Sequence, residues 1–297
     1  MPAPLLVEPT APATPDGPYV IAWNDLVLEV DARTGGRVTA LRLGGRNLLT
    51  EPSVDPGNFG STFWTSPQSV WGWPPVPEID HAPYRASIDG HVLILRSTRS
   101  ASLGVEVEKL ISADRSRGAL TFEYRIHNLG GAPLQTAPWQ ITRVAPGGLT
   151  FYPSGEGSYA PSNLHVRDEA GVTWFDYDKS RISDHNKLFA DGREGWLAHV
   201  DRTRDALLVK TFPVVPRAAH APGEAQIEIY ANPAHTYIEV EVQGAYEAVP
   251  PGGALVWQIV WLVRHLPRDL PIGVGSAPLL AHVRALVAAD AAASLAV

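Results

Sequence analysis

The chain has 297 residues, of which 45% are hydrophobic and 19% charged, with a formal net charge of −7 and no cysteine. That length holds a self-sufficient core, while the missing thiols exclude disulfides, thiolate zinc sites and cysteine nucleophiles. Nucleic acid is not an expected partner, because no basic run is present to neutralise phosphates, and neither is a membrane, because no apolar run approaches the ~20 residues of a span.

Residues 1–17 lack the basic and apolar segments of a secretory signal and read as a flexible Pro/Ala-rich leader. A cytoplasmic location follows as the expectation, with a periplasmic one left open for a chain trimmed at its start. Residues 18–297 read as a single domain. Strand signals dominate it: 19–23 and 26–30 flank the tight-turn pair Asn24-Asp25, and 35–49 turns at Gly44-Gly45.

The stretch 58–75, NFGSTFWTSPQSVWGWPP, carries Trp64, Trp71 and Trp73 among Gln68, glycines and prolines. Pro74-Pro75 excludes a helix or a central strand, so a long ordered loop is expected. Indole faces beside amides and hydroxyls suit a sugar, whose CH faces stack on rings and whose hydroxyls need hydrogen-bond partners. Exposed indoles would equally anchor a homodimer contact.

Further strands are expected at 91–97, 105–112 and 119–128. In the last, Leu120, Phe122, Tyr124 and Ile126 share one face, which is the period of a half-buried antiparallel strand. Residues 137–152 read as a strand pair turned by Gly147-Gly148, and 153–195 as a looser region. Strands resume at 196–200, 206–212, 225–231, 236–246 and 254–263, and only 276–296 has helical periodicity. Some fifteen short strands or more do not fit one open sheet, so an all-β architecture of two stacked, mostly antiparallel sheets with a C-terminal helix is expected.

The segment GGRVTALRLGGRNLL (35–49) is similar to the start of the aldose 1-epimerase (galactose mutarotase-like) superfamily, and AVPPGGALVWQIVW (248–261) to its last strand. WGWPP, APWQITRV, WFDYD, KLFADGREGWLAHV, GEAQIEIYAN and YIEVEVQGAY resemble the DUF4380 group within it. The resemblance implies a β-supersandwich with a cleft on a concave sheet face. It also implies isomerase chemistry, in which a carboxylate takes the anomeric proton while a histidine protonates the ring oxygen.

The implied base is Glu241, about ten residues before Pro251-Gly252. Strand period puts Glu239, Glu241 and Gln243 on one face, either a polar cleft or a solvated surface. The implied histidine is missing: APWQITRV has Trp139 and Gln140 there, and no histidine occurs between His127 and His165. His199, within WLAHV, is the alternative acid.

Other sugar contacts are expected from Trp64, Trp71, Trp73 and Trp139 by stacking, and from Gln68, Gln140 and Gln243 through their amides. Arg143 and Lys210, cations inside apolar strands, would hold a sugar acid or sugar phosphate. Asp176, Asp178, Asp184 and His185 match no calcium loop, so no metal and no cofactor is expected. The sequence thus points to a sugar or glycan end as partner. It leaves open an epimerase-like enzyme, a polysaccharide lyase-like enzyme and a non-catalytic glycan-binding or sensing module.

Overall fold

The computed structural model describes residues 4–157, 162–184 and 186–294. Its strands in chain order are β1 (Tyr19–Trp23), β2 (Leu26–Asp31), β3 (Arg37–Leu43), β4 (Arg46–Asn47), β5 (Ser61–Ser66), β6 (Arg85–Asp89), β7 (Val92–Arg96), β8 (Val105–Asp114), β9 (Ala119–Asn128) and β10 (Leu134–Val144). There follow β11 (Leu149–Pro153), β12 (Arg167–Glu169), β13 (Val172–Asp176), β14 (Lys187–Ala190), β15 (Trp196–Asp201), β16 (Ala206–Thr211), β17 (Ile227–Ala231), β18 (Ile238–Gln243), β19 (Glu247–Val249) and β20 (Ala254–His265). A single helical turn α1 (Pro77–Asp80) follows β5, and α2 (Ala277–Ser294) closes the chain.

The strands form two antiparallel sheets, as the number and shortness of the sequence signals required. The first runs β1-β2-β3-β5-β10-β18-β17-β14, with β4 on β3 and β19 on β10. The second runs β12-β13-β11-β15-β16-β20-β9-β8-β7-β6. Their facing sides share one core: Leu28, Leu41, Phe63, Val240 and Val242 from the first, Val107, Phe122, Ile126 and Trp261 from the second. Phe63 stacks on Tyr124 across the gap at 4.4 Å. The outer side of the second sheet is apolar too, with Phe151, Trp174, Trp196 and Val209 packed against Leu279, Leu280 and Val283 of α2. That second apolar surface is why a helix is needed: α2 covers it, and Arg117 on Asp290 at 2.6 Å ties it down. The expected helix 276–296 is present as Ala277–Ser294, and residues 295–297 lie outside the described ones.

Three local expectations are corrected. One third of the expected loop 58–75 is strand β5, which lies between β3 and β10. Thr62, Phe63, Trp64 and Thr65 are all strand formers, and the chain breaks only at Pro67, after β5. Gly147-Gly148 does not close a hairpin: β10 belongs to the first sheet and β11 to the second, so the turn is a crossover. The described part of the expected leader, residues 4–17, is hydrogen-bonded to the sandwich: Val7 N–H donates to Ala113 at 3.0 Å, and Thr10 and Val20 exchange hydrogen bonds of 2.7 and 3.0 Å.

Strand alternation also moves three expected site residues into the layer between the sheets. Gln140 is adjacent to Trp139 and so points the other way. Its Nε2 donates to Tyr124 Oη at 2.7 Å and its Oε1 accepts from Trp261 Nε1 at 3.2 Å. Lys210 lies on β16, where its Nζ donates to Thr142 Oγ1 at 2.8 Å and to the Val240 carbonyl at 2.7 Å. Burial pushes the pKa of its ammonium well below the ordinary lysine range. His199 lies on β15 in the second sheet, 2.9 Å from Thr150 Oγ1.

No helix among the described residues is long and apolar enough to cross a membrane.

Burial lowers the His199 pKa from 6.5 to about 4. In the unfolded chain this histidine binds a proton below its ordinary pKa, whereas the folded one does so only near 4, so native stability falls as pH drops through that interval. The shift corresponds to about 3 kcal/mol. Urea unfolding between pH 7 and pH 4 is expected to show a loss steeper by about that amount in the wild type than in His199→Asn; equal slopes would contradict the assignment.

Candidate functional site

The face of the first sheet turned away from the second is polar, and pairing register assembles it. On β10, Trp139, Ile141 and Arg143 stand opposite Gln243, Glu241 and Glu239 of β18. On the far side of β18, Glu228 and Tyr230 of β17 stand opposite Glu241 and Glu239. Lys187 and Phe189 of β14 then face Tyr230 and Glu228. On the other flank, Trp64 and Thr62 of β5 stand opposite Trp139 and Ile141. Five strands therefore bring three acids, two cations and two indoles into one patch.

Glu241, with none of its surface exposed, sits at the centre. Its Oε2 accepts from Trp139 Nε1 at 2.8 Å and from Lys187 Nζ at 3.3 Å. Its Oε1 lies 3.3 Å from the same ammonium but makes no hydrogen bond. Glu228, equally buried, accepts at Oε1 from Ala225 N–H and Gln243 Nε2, both at 2.8 Å, and holds Lys187 Nζ 2.6 Å from Oε2. The Lys187 ammonium also lies 5.0 Å from the Trp139 ring centroid.

Beside this trio, Arg143 Nε donates to Glu239 Oε1 at 2.8 Å, and the guanidinium lies 5.4 Å from the Trp64 ring centroid. Both Arg143 Nη atoms are buried and without a partner. A third ionic pair borders the patch: Asp80, at the end of α1, accepts from Arg37 Nη2 at 3.0 Å, Trp64 Nε1 at 2.7 Å and Thr62 Oγ1 at 2.9 Å.

Burial raises the Glu228 carboxyl well above its ordinary range, with Glu241 and Glu224 repelling its charge and Lys187 pulling the other way. Burial likewise raises Glu239, against the pull of Arg143, and Glu224. For Lys187 burial works against the charge, but Glu228 and Glu241 outweigh it and raise its pKa. Burial alone would raise Asp80; Arg37 and the Trp64 N–H prevail and lower it. The arrangement therefore keeps Lys187 charged, and its acids compete for too few cations.

Of the residues expected from sequence, Trp64, Trp139, Arg143, Glu241 and Gln243 share this face, whereas Gln140, Lys210 and His199 do not. The expected stacking platform is folded onto itself. Trp64 meets Trp71, Trp73 and Trp139 edge-on at centroid distances of 5.6, 6.0 and 5.4 Å. Trp64 and Trp139 are buried, with Arg143 and Lys187 over their rings. Trp71 is half-buried and donates from Nε1 to the Thr65 carbonyl at 2.8 Å. Trp73 alone among the four is exposed, at 61%. Gln68 is half-buried, and its backbone N–H donates to Glu224 Oε1 at 2.9 Å.

Sequence reasoning missed Lys187, Glu228, Glu224, Arg37 and Asp80. A signal existed for Glu228: the alternation in 225–231 sets Glu228 and Tyr230 on the face opposite Ile227 and Ile229. The described residues contain no group suited to a metal; Asp176 and Asp178 pair with Arg202 and Arg181 at 2.6 and 3.2 Å, and His185 lies outside the described residues. A separate cavity of about 590 Å³, lined by Arg42, Arg46, Glu51, Thr203 and Arg204, contains none of the buried acids or indoles.

A family model described as "Domain of unknown function (DUF4380)" matches residues 22–264. No curated protein matches the chain. Solved structures resemble it at low identity. A galactose mutarotase-like protein from Lactobacillus casei is 12% identical with a TM-score of 0.59, over 84% of this chain and 100% of that one. A galactose mutarotase related enzyme from Lactobacillus acidophilus is 8% identical with a TM-score of 0.60, over 86% and 100%. A TPR-domain containing protein from Parabacteroides distasonis is 14% identical with a TM-score of 0.59; 86% of this chain spans about half of that one, 49%. At these identities the likeness establishes the fold, a galactose mutarotase-like β-sandwich.

Removing Lys187 strands two buried carboxylates. Lys187→Met is expected to cost about 3–5 kcal/mol in urea unfolding, and the added change Glu228→Gln to recover a large part of it. A Lys187→Met protein as stable as the wild type would contradict the described network.

Proposed function

The chain belongs to the DUF4380 family, and from the polar face its mutarotase-like fold presents we propose that it binds a sugar against Glu241 and Arg143, with Glu241 as general base. One observation carries this reading. The face holds a buried acceptor without a hydrogen bond, Glu241 Oε1, and buried donors without a partner, the Arg143 Nη atoms. Leaving such groups unpaired is costly, about 1–3 kcal/mol each and more when charged, so they are natural places for ligand atoms. Their register positions, Glu241 and the Glu239 that faces Arg143, are two residues apart on one strand, about 7 Å. A pyranose ring spans that distance, donating a hydroxyl hydrogen to the carboxylate and offering oxygens to the guanidinium.

The charge balance selects among sugars. Arg37, Arg143 and Lys187 face Asp80, Glu224, Glu228, Glu239 and Glu241, so acids outnumber cations. The expected preference for a sugar acid or phosphate rested partly on Lys210, which faces the other way. An uncharged or cationic sugar fits this surface better than an anionic one. The Trp71–Trp73 segment borders this face, its indoles edge-on against Trp64.

In the catalytic form of this reading, Glu241 takes the proton of the anomeric hydroxyl and the hemiacetal opens. Trp139 Nε1 and Lys187 Nζ donate to this carboxylate and orient it. A second reading, a binding module without turnover, is favoured by the position of the imidazoles. His199 is in the other sheet, and His81, 3.7 Å from Asp80, has a side chain 57% exposed.

Anomer exchange followed by NMR over a panel of reducing sugars tests both. Glu241→Gln is expected to slow exchange by roughly 100-fold or more while binding persists; an unchanged rate removes Glu241 as base. Arg143→Met is expected to weaken binding. Binding by the wild type with no exchange above background selects the module, and no binding of any sugar removes both readings.

A further inference from the structure

The proposed sugar site has a charge deficit that names a ligand class. Three ionic groupings lie on this face. Arg37 with Asp80, and Arg143 with Glu239, are one-to-one pairs at 3.0 and 2.8 Å. The third is not: Lys187 is the one cation serving Glu228 and Glu241, at 2.6 and 3.3 Å, and Glu224 stands close enough to repel Glu228. Two carboxyl groups with none of their surface exposed to water thus share one ammonium. The trio is therefore one cation short, and one oxygen of each acid, Glu228 Oε2 and Glu241 Oε1, makes no hydrogen bond.

We propose that the sugar bound here carries a protonated amine, which completes the charge of the Glu228–Lys187–Glu241 trio at Glu241 Oε1. This rests on the sugar-binding reading above and narrows it to amino sugars. The unpartnered Arg143 Nη atoms orient the ligand, since a guanidinium donates to oxygens at its end of the face and repels the ammonium toward the acids. Trp73, exposed and edge-on to Trp64, offers an aromatic surface for the CH face of the ring, and aromatic rings tolerate an adjacent cation. A neutral hydroxyl at the same place satisfies the hydrogen bond but leaves the buried negative charge uncompensated. An N-acetyl group neither donates strongly nor carries charge. The ordering of three otherwise similar ligands therefore follows from the site.

Titration calorimetry of the full chain with galactosamine, galactose and N-acetylgalactosamine, and with the corresponding glucose series, at about pH 6.5 tests this. The amine is expected to bind at least about tenfold more tightly than the hydroxyl and N-acetyl sugars of the same series. In Glu241→Gln that advantage is expected to disappear, the amine and hydroxyl sugars of one series then binding within a few-fold of each other. Glu228→Gln, checked like Glu241→Gln for an intact thermal transition, is expected to reduce the advantage in the same direction. If hydroxyl sugars bind and the amine brings no gain, the amine proposal fails while the sugar-binding reading stands. If the gain survives both substitutions, the amine is held elsewhere and the proposal also fails. If none of the six sugars binds the wild type, the reading beneath it falls as well.

Discussion

A single lysine ammonium between two fully buried carboxylates organises the polar side of this sandwich. Taking Glu228 and Glu241 out of water is expensive, and Lys187 offsets that cost only because β14, β17 and β18 pair in a register that aligns all three side chains. The same contacts orient Glu241 toward Trp139, which carries the arrangement across β10 to Trp64 and thence to Asp80 and Arg37. Ionic groups so placed stabilise little for their desolvation, and an apolar face would do as well for folding alone. Their presence on one sheet face, with donors and an acceptor left unmatched, is what distinguishes a site from a surface.

The rest of the fold serves to make that face available. A sheet with two apolar sides must be covered twice, and the second sheet is: by its partner on one side and by α2 on the other. The first sheet meets the second on one side; on the other, the small apolar cluster of Trp64, Trp139 and Ile141, with Trp71 packed on it, lies among the ionic groups. Its other side is free to carry ionisable groups because the strands alternate, with Val240 and Val242 inward and Glu239, Glu241 and Gln243 outward.

Much of this was legible in the sequence, and the failures have physical causes. Two-residue periodicity located most strands, the stacked-sheet class and the shared face of Glu239, Glu241 and Gln243. It also contained a conflict: Trp139 and Gln140, neighbours on one strand, do not line the same face. Periodicity does not say which side of a doubly buried strand meets the other sheet, so Gln140, Lys210 and His199 were open to misplacement. Composition misled at 58–75, where prolines late in the stretch concealed a strand built from Thr, Phe and Trp. Partners distant in sequence were invisible: Lys187 meets Glu241 across 54 positions and Trp139 meets it across 102. The choice of sheet at Gly147-Gly148 is likewise decided by long-range pairing.

The central claim is that the unmatched buried atoms of this face are ligand positions. A crystal structure of the chain soaked with a reducing amino sugar tests it most directly. The account predicts one ring on the outer face of the first sheet, its nitrogen or a hydroxyl in hydrogen-bond contact with Glu241 Oε1 and an oxygen in contact with the Arg143 Nη atoms. A ring seated in the cavity between Arg42, Arg46 and Arg204, with Glu241 and Arg143 untouched, would contradict it.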